Sequence, residues 1–423
     1  MEATVSVSPA ISNPNRRAVS RTLVLLLVCG IIISICMGLR QSMGLFLKPL
    51  AFDLGISAAT FGFAIALQNL VWGLSQPFLG ALADRHGARP VVLGTALVYA
   101  AGLALMACAS QFPGMITLAG FLTGIGIAGT GFGVLIGTVA RSTPPERRTK
   151  TVGLVAAAGS LGTAVIAPFG QWLIDAYGWK LALTAFAALA ATLAVLALAV
   201  REVEAAPSDI RPARLRAGEA VQEALHHRGF VFMTVSFFAC GFQLVFVATY
   251  LPNYLQVCGV APGVAAHALA LIGLCNAFGT YAFGILGTRF SQKHLLALIY
   301  LARTLCIAGF LLLPVTAAST MVFAAMMGLL WLGVVPLVSG IIGRIFGLER
   351  FNTLYGIAFL SHQLGSFVGA WMGGASFSYF GNFNFAWGAM LAIGAGAFLL
   401  QWTMDESPTD RGNTSILRTQ GNA

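Results

Sequence analysis

The chain has 423 residues, of which 58% are hydrophobic and 9% are charged, and its mean hydropathy is +0.84. Soluble proteins carry roughly 25% charged residues, so this composition excludes an ordinary soluble enzyme or binding module. The net charge of +10 does not indicate nucleic-acid binding, because the basic residues concentrate in polar segments between long apolar stretches. The sequence predicts an all-α, multi-pass membrane protein.

Apolar segments recur along nearly the whole chain. About twenty apolar residues cross roughly 30 Å of hydrocarbon as a helix. Twelve such segments are predicted and numbered spans 1 to 12: 22–47, 59–82, 90–110, 115–140, 152–176, 181–200, 230–257, 264–287, 295–314, 321–345, 354–379 and 385–404. The apolar run of span 1 is too long for a signal peptide, so it is expected to remain as an anchor.

The basic residues predict the orientation in the membrane. Of the 24 Lys and Arg residues, Lys48 and Lys180 lie on one side, Arg40 and Arg303 lie inside spans, and the others lie in the termini and alternate loops. Lys and Arg accumulate on the cytoplasmic side, which predicts cytoplasmic termini in a cytoplasmic (inner) membrane. The predicted parts are a tail at 1–20, a six-helix bundle at 21–200, a cytoplasmic linker at 201–229, a second bundle at 230–404 and a tail at 405–423.

One half of the sequence repeats the other at an offset of 203 residues. At this offset Gly38 matches Gly241, and Gly162 matches Gly365. Two parallel repeats related by an axis along the membrane normal are an architecture of secondary transporters, in which the substrate site lies between the repeats near the midplane.

The loop between spans 2 and 3 reads GALADRHGARPVV, Gly80 to Val92. It resembles the G-x-L-x-D-R-x-G-x-R motif of the major facilitator superfamily, and the second half holds a degenerate copy, GILGTRFSQKHLL. The resemblance implies a twelve-helix carrier with two pseudo-symmetric six-helix bundles. A positive-inside loop with a glycine turn is the alternative reading of the motif. The resemblance also implies a conformational latch at the cytoplasmic helix ends, formed by Gly80, Asp84, Arg85, Gly87 and Arg89.

Three further stretches are GLRQSMGLFLKPLAFDLGIS in span 1, FFACGFQLVFVATYLPNYL in span 7 and YGIAFLSHQLGSFVG in span 11. They resemble the bacterial relatives of the monocarboxylate porters. This resemblance implies carriage of small carboxylate-bearing metabolites, often with a proton. Porters of that group generally bind the carboxylate with an arginine in span 8, whereas span 8 here has Asn276 and Thr280 as its notable polar residues.

Arg40 in span 1 is the leading candidate for substrate binding. An arginine at mid-membrane costs roughly 3 kcal/mol on insertion scales and is usually functional or paired. All fourteen acidic residues lie in loops or at helix ends, so an anionic substrate is the simplest counter-charge. The repeat counterpart of Arg40 is Gln243 in span 7, and the two are predicted to face one another across the central cavity. The alternative is that Arg40 extends to the headgroups.

Three other residues complete the candidate site. Asn276 and Arg303 are predicted to contact the substrate, although Arg303, in the peripheral span 9, has the alternative of binding helix-end carbonyls or reaching the membrane surface. His362 in span 11 is a candidate proton carrier, because histidine titrates near neutral pH; the alternative is a hydrogen-bonded structural role. Other polar residues in spans, including Gln68, Asn69, Gln76 and Gln363, are more simply assigned to packing.

Span 4 contains TGIGIAGTGFG, which has the glycine spacing of a dinucleotide-binding loop. No strand precedes it, and amides bonded within a helix cannot hold a phosphate. Its small residues are instead predicted to form two packing rows on nearly opposite faces: Gly120, Gly124 and Ala128, then Gly129, Gly133 and Gly137. No metal-ligand spacing or nucleophile triad is recognisable, so neither an enzyme nor a cofactor or metal site is predicted.

These observations predict a monomeric, lipid-embedded carrier of a small organic anion, with protons as a candidate coupling ion and no nucleic-acid partner. Efflux of drug-like compounds by the same fold is the nearest alternative, and the absence of buried acids counts against cationic drugs. A non-transporting membrane sensor is a further alternative, although a sensor would usually add a signalling domain. The substrate, the direction of transport and the coupling ion stay open.

Overall fold

The computed structural model describes residues 14–110, 113–143, 145–200, 217–346 and 351–408, which form helices joined by short turns and contain no strand. The all-α fold class is confirmed. The first half contains α1 (Pro14–Gln41), α2 (Leu47–Leu54), α3 (Ala58–His86), α4 (Ala88–Ala107), α5 (Pro113–Thr130), α6 (Phe132–Arg141) and α7 (Pro145–Ala197). The second half contains α8 (Ala217–His226), α9 (Arg228–Val257), α10 (Pro262–Arg289), α11 (Gln292–Leu312), α12 (Ala317–Leu329), α13 (Val334–Phe346), α14 (Phe351–Phe380) and α15 (Asn384–Thr403).

Twelve membrane crossings follow from these helices. Ten segments of the described chain are long and apolar enough to cross a membrane. One of them, Gly153–Ala197, has 45 residues and contains Gly178 with a φ of 83°. A Cβ atom added at Gly170 would overlap the ring of Phe186. In a straight helix these two residues, sixteen positions apart, would be separated by about 24 Å. The chain therefore folds back at Gly178 and crosses twice, and α14, with 30 residues, supplies the twelfth crossing.

The helices correspond to the predicted spans in chain order. Span 1 is α1 with α2, span 2 is α3, span 3 is α4, span 4 is α5 with α6, and spans 5 and 6 are the two arms of α7. Spans 7, 8 and 9 are α9, α10 and α11, span 10 is α12 with α13, and spans 11 and 12 are α14 and α15. Helix α8 lies within the predicted linker, whose residues 201–216 are outside the described chain, as are most of the two predicted tails. We call the membrane face that carries the linker the linker side and the opposite face the far side.

The two halves repeat one another in their packing. A Cβ atom at Gly162 in span 5 would overlap the carbonyl of Ser34 in span 1. In the other half, a Cβ atom at Gly365 in span 11 would overlap the carbonyl of Phe238 in span 7. The sequence offset that pairs Gly162 with Gly365 therefore also pairs two close helix crossings, as small residues permit in membranes.

We expect Gly162→Val to lower the free energy of unfolding by about 1–3 kcal/mol, because added methyl groups overpack this crossing. Gly153→Val is the matched control on the same arm of α7, where a Cβ atom would meet nothing within 4 Å. Thermal unfolding of the purified variants in detergent measures the difference. Equal losses in the two variants would show that the crossing is not tightly packed.

The glycines of span 4 follow their predicted rows only in part. Gly120 and Gly124 pack against the backbone of span 2, and Gly129 packs against Thr95 of span 3. Gly133, predicted to share a row with Gly129, instead lies against Gln76 of span 2. The second predicted row is therefore wrong. The helix is interrupted at Gly131, between α5 and α6, so residues after the interruption do not continue the face formed by the residues before it.

The two halves touch along the far side. A Cβ atom at Gly62 in span 2 would overlap the hydroxyl of Tyr250 in span 7, and Gly44 packs in the same way against the carbonyl of Ala248. The N–H of Ala59 in span 2 also donates to Ser378 Oγ in span 11, at 3.0 Å. These contacts close the far side.

The described contacts between the halves do not extend to the linker-side ends of the spans that line the seams. Spans 2, 5, 8 and 11 each carry a glycine in the part nearest the linker side. A Cβ atom at any of these four would meet nothing within 4 Å: Gly80, Gly153, Gly284 and Gly356. In the described chain, close packing between the halves is therefore found on the far side and at mid-membrane.

Candidate substrate-binding site

Arg40 lies where span 1 is interrupted inside the membrane. It is in the last turn of α1, which ends at Gln41, and a 3-10 turn, Met43–Phe46, leads into α2. The N–H and the hydroxyl of Ser42 both donate to the carbonyl of Gly38, at 3.1 and 2.8 Å. A helix C-terminus is the negative end of the helix dipole, so this end of α1 favours the Arg40 cation.

The guanidinium group of Arg40 is held by two residues of span 2. Its Nη2 donates to Asn69 Oδ1 at 2.7 Å, and Asn69 Nδ2 donates in turn to the carbonyl of Ile65, also at 2.7 Å. The Arg40 Cζ atom lies 4.8 Å from the centre of the Trp72 ring, which is within cation–π range. The side chain thus turns into its own half instead of extending to the membrane surface.

The positive charge of Arg40 has no acidic partner among the described residues. Its two contacts are a neutral amide oxygen and an aromatic ring, and its Nε has no hydrogen-bond partner. Asn69 and Trp72 are buried, whereas Arg40 is half-buried. A half-buried guanidinium group with no counter-ion is suited to binding a carboxylate.

A row of aromatic rings links Arg40 to the second half. The Trp72 ring lies edge-on to Phe359 of span 11, with centroids 5.5 Å apart. Phe359 stacks on His362 at 5.8 Å, and Phe237 of span 7 lies 4.8 Å from His362. Arg40 and His362 therefore stand at opposite ends of a row that crosses the seam between spans 2 and 11.

His362 is buried within this row. Its Nδ1 lies 3.4 Å from Oε1 of Gln363. Two aromatic rings, Phe359 and Trp72, separate His362 from Arg40.

The structure does not bring Gln243 to Arg40, which corrects the predicted pair. Gln243 is fully buried, and its Nε2 lies beside Gly394 of span 12 and Thr304 of span 9. Gln243 follows Gly241, which packs on span 11, by two residues, or about 200° around the helix. It therefore points into its own bundle. Arg40 finds its amide partner in Asn69 instead.

Arg303 also lies away from the seam. It is fully buried, and its Nε donates to the carbonyl of Leu330 at 3.0 Å. Its Nη2 donates to the carbonyls of Leu330 and Trp331. These carbonyls belong to the interruption between α12 and α13, so Arg303 binds helix-end carbonyls, and its predicted contact with substrate is corrected.

Asn276 meets the same interruption from span 8. Its Oδ1 accepts the N–H of Leu332 at 2.9 Å and the hydroxyl of Thr280 at 3.0 Å. Its Nδ2 donates to Ser160 Oγ at 2.9 Å, and the residue is buried. Asn276 and Arg303 are therefore brought together at span 10, where both bind backbone groups. Arg303 Nη1 has no hydrogen-bond partner among the described residues, but it is buried.

The motif between spans 2 and 3 forms the turn between α3 and α4. Gly87 has a φ of 82°, a left-handed conformation that favours glycine. Arg85 and Arg89 are exposed on the linker side. The side chain of Asp84 is outside the described part of the chain, so the latch stays a prediction.

The contacts of Trp72 and Phe359 with the candidate site were not predicted from the sequence. The available signal was the spacing of Trp72, which follows Asn69 by three residues and therefore lies on the same face of the helix. In an apolar helix, an aromatic residue is indistinguishable from packing until its neighbours are known.

The comparison with protein families decides the identification. The family model of the Major Facilitator Superfamily matches residues 26–370. The chain belongs to this superfamily. It is therefore a membrane transporter and not an enzyme, as the loop motif predicted.

Curated relatives agree with this family. Monocarboxylate transporter 13 of Rattus norvegicus is 26% identical over 367 residues, covering 86% of this chain and 83% of the relative. Multidrug resistance protein MdtH of Yersinia enterocolitica is 38% identical over 124 residues, covering 29% of this chain and 30% of the relative.

A solved structure shares the fold. It is the crystal structure of a bacterial homologue of the human lysosomal transporter Spinster, in an inward-facing and unoccupied conformation. Its TM-score to this chain is 0.70 at 16% identity, with 94% of this chain and 95% of that chain covered. The predicted twelve-helix architecture is thus confirmed at the level of the fold.

Proposed function

We propose that the protein carries a small organic anion of the monocarboxylate type by alternating access. The observation that carries this proposal is Arg40, a half-buried cation inside the membrane with only neutral partners among the described residues, whereas Arg303 is fully buried. The similarity to Monocarboxylate transporter 13 over 86% of the chain supports the same substrate class.

In this proposal the substrate carboxylate binds Arg40, and Trp72 with Phe359 packs against the apolar body of the substrate. The excess of Lys and Arg in the polar segments supports a cytoplasmic location for the linker side and both termini, in a cell with a cytoplasmic membrane. The far side, along which the halves touch, then faces outward. A monomer suffices, because the two halves of one chain supply both sides of the seam.

The test is counterflow in proteoliposomes of the purified protein. Labelled pyruvate and lactate are expected to accumulate when the liposomes are preloaded with the same unlabelled acid. A panel containing neutral amphipathic compounds and a lipophilic cation runs beside them. If every carboxylate failed while a neutral or cationic solute moved, the proposal would be lost.

Protons are the proposed coupling ion, with His362 as the carrier. We expect His362→Gln to keep counterflow, which needs no net proton movement, and to lose the stimulation of net uptake by an acidic exterior. His267→Gln is the matched control, since His267 is exposed at the start of α10. If an acidic exterior still stimulated net uptake fully in His362→Gln, His362 would not be the proton carrier.

Efflux of drug-like compounds is the second candidate. The match to MdtH, at 38% identity over 124 residues, favours it. No acidic residue contacts Arg40 or Arg303 in the described chain, and an acid is what a cationic drug would require. Accumulation of the lipophilic cation in the counterflow panel would favour this candidate over the first.

A further inference from the structure

The interruption of span 10 is held by side chains from two neighbouring spans. It lies between Leu329, the last residue of α12, and Val334, the first residue of α13. Arg303 of span 9 binds two of its carbonyls, and Asn276 of span 8 accepts the N–H of Leu332 at 2.9 Å. Backbone polar groups inside a membrane need such partners, so these two side chains define where span 10 bends.

Asn276 also reaches across the seam between the halves. Its Nδ2 donates to Ser160 Oγ of span 5 at 2.9 Å, and both residues are buried. One turn nearer the far side, a Cβ atom at Gly273 would meet the Ser160 carbonyl and Thr163. The hydrogen bond therefore belongs to the part of the seam that is closed in this state.

We propose that Asn276 is a positioning residue that couples the bend of span 10 to closure of the far side. When the far side opens, spans 5 and 8 separate where Gly273 meets Ser160, and Asn276 Nδ2 loses its acceptor. The amide is then free to turn, and Leu332 loses the oxygen that accepts its N–H. This mechanism requires alternating access and is independent of which substrate is carried.

The native cysteines provide the measurement of far-side opening. Cys108 and Cys258 are exposed, and the other five cysteines are buried or half-buried. Cys108 follows α4 and Cys258 follows α9, so each half carries one at its far side. Nitroxide labels are attached to these two residues in a Cys275→Ala background. Pulsed electron resonance in nanodiscs then measures the distance between the far-side ends of α4 and α9.

We expect Ser160→Ala to raise the ratio of the long-distance to the short-distance population by about fivefold or more, the effect of losing one buried hydrogen bond. Ser366→Ala is the matched control, because the Ser366 hydroxyl bonds within its own helix, to the carbonyl of His362. Unchanged distances in Ser160→Ala, or the same change in both variants, would overturn the proposal.

A second readout tests the coupling to span 10. In Ser160→Ala we expect faster hydrogen exchange in a peptide that covers the interruption, including Leu332, with no change in Ser366→Ala. In an Asn276→Leu background, Ser160→Ala is expected to cause no further shift. If Asn276→Leu does not fold, the exchange measurement in Ser160→Ala still decides: an unchanged rate in that peptide would overturn the coupling.

Discussion

Arg40→Gln is expected to abolish carboxylate counterflow, with a loss of about 100-fold or more, while the protein stays folded. Removing the charged partner of a desolvated ion pair costs about 3–5 kcal/mol, and each 1.4 kcal/mol is tenfold in affinity. The fold is expected to survive because Arg40 is half-buried and, among the described residues, its side chain hydrogen-bonds only to Asn69. Counterflow rates and thermal unfolding of the same preparations measure the two effects.

Two further variants sharpen this result. Arg40→Lys keeps the charge and loses the planar fork, so an intermediate loss is expected. Arg228→Gln, at the exposed start of α9, removes a positive charge away from the site and is expected to keep full counterflow. Unchanged substrate affinity in a folded Arg40→Gln protein would mean that Arg40 does not bind the substrate.

The opposite outcome is expected for Arg303→Gln. This substitution leaves the carbonyls of Leu330 and Trp331 buried without their charged donor, which lowers the free energy of unfolding by about 3 kcal/mol or more. The substrate concentration for half-maximal counterflow is expected to stay unchanged in the protein that remains folded, because Arg303 has no access to the seam. Thermal unfolding and counterflow of the same sample measure the two quantities.

A fully stable Arg303→Gln protein that had lost only its substrate affinity would restore Arg303 to the binding site. Arg303→Lys gives the intermediate case, since a lysine keeps the charge and cannot bind two carbonyls with a fixed fork. Together the two arginines form a paired test. One controls binding with little effect on folding, and the other controls folding with little effect on binding.

The architecture of the fold was largely predictable from the sequence. Crossing a bilayer demands long apolar helices, so the apolar segments predicted the spans in chain order. The fold-back at Gly178 separates spans 5 and 6 in the structure. The offset that pairs Gly162 with Gly365 reports two equivalent helix crossings, because close backbone contact allows little but glycine there.

The direction of individual side chains was less predictable. The repeat pairs Arg40 with Gln243 in the sequence, yet their side chains have different neighbours. Arg40 contacts span 2, which lines the seam, whereas Gln243 lies beside Gly394 of span 12, inside its own bundle. The roles of Arg303 and Asn276 depend on the interruption at Leu330–Gly333, which lies within an uninterrupted apolar run and leaves no hydropathy signal. Such contacts depend on tertiary packing.

The central claim is that the protein recognises its substrate by negative charge. The most direct measurement is competition for counterflow of labelled pyruvate by unlabelled lactate and by lactamide, its neutral analogue of nearly the same size. Lactate is expected to compete and lactamide is not, since only lactate supplies a charge to Arg40. Equal competition by both compounds, or competition by lactamide alone, would contradict the claim.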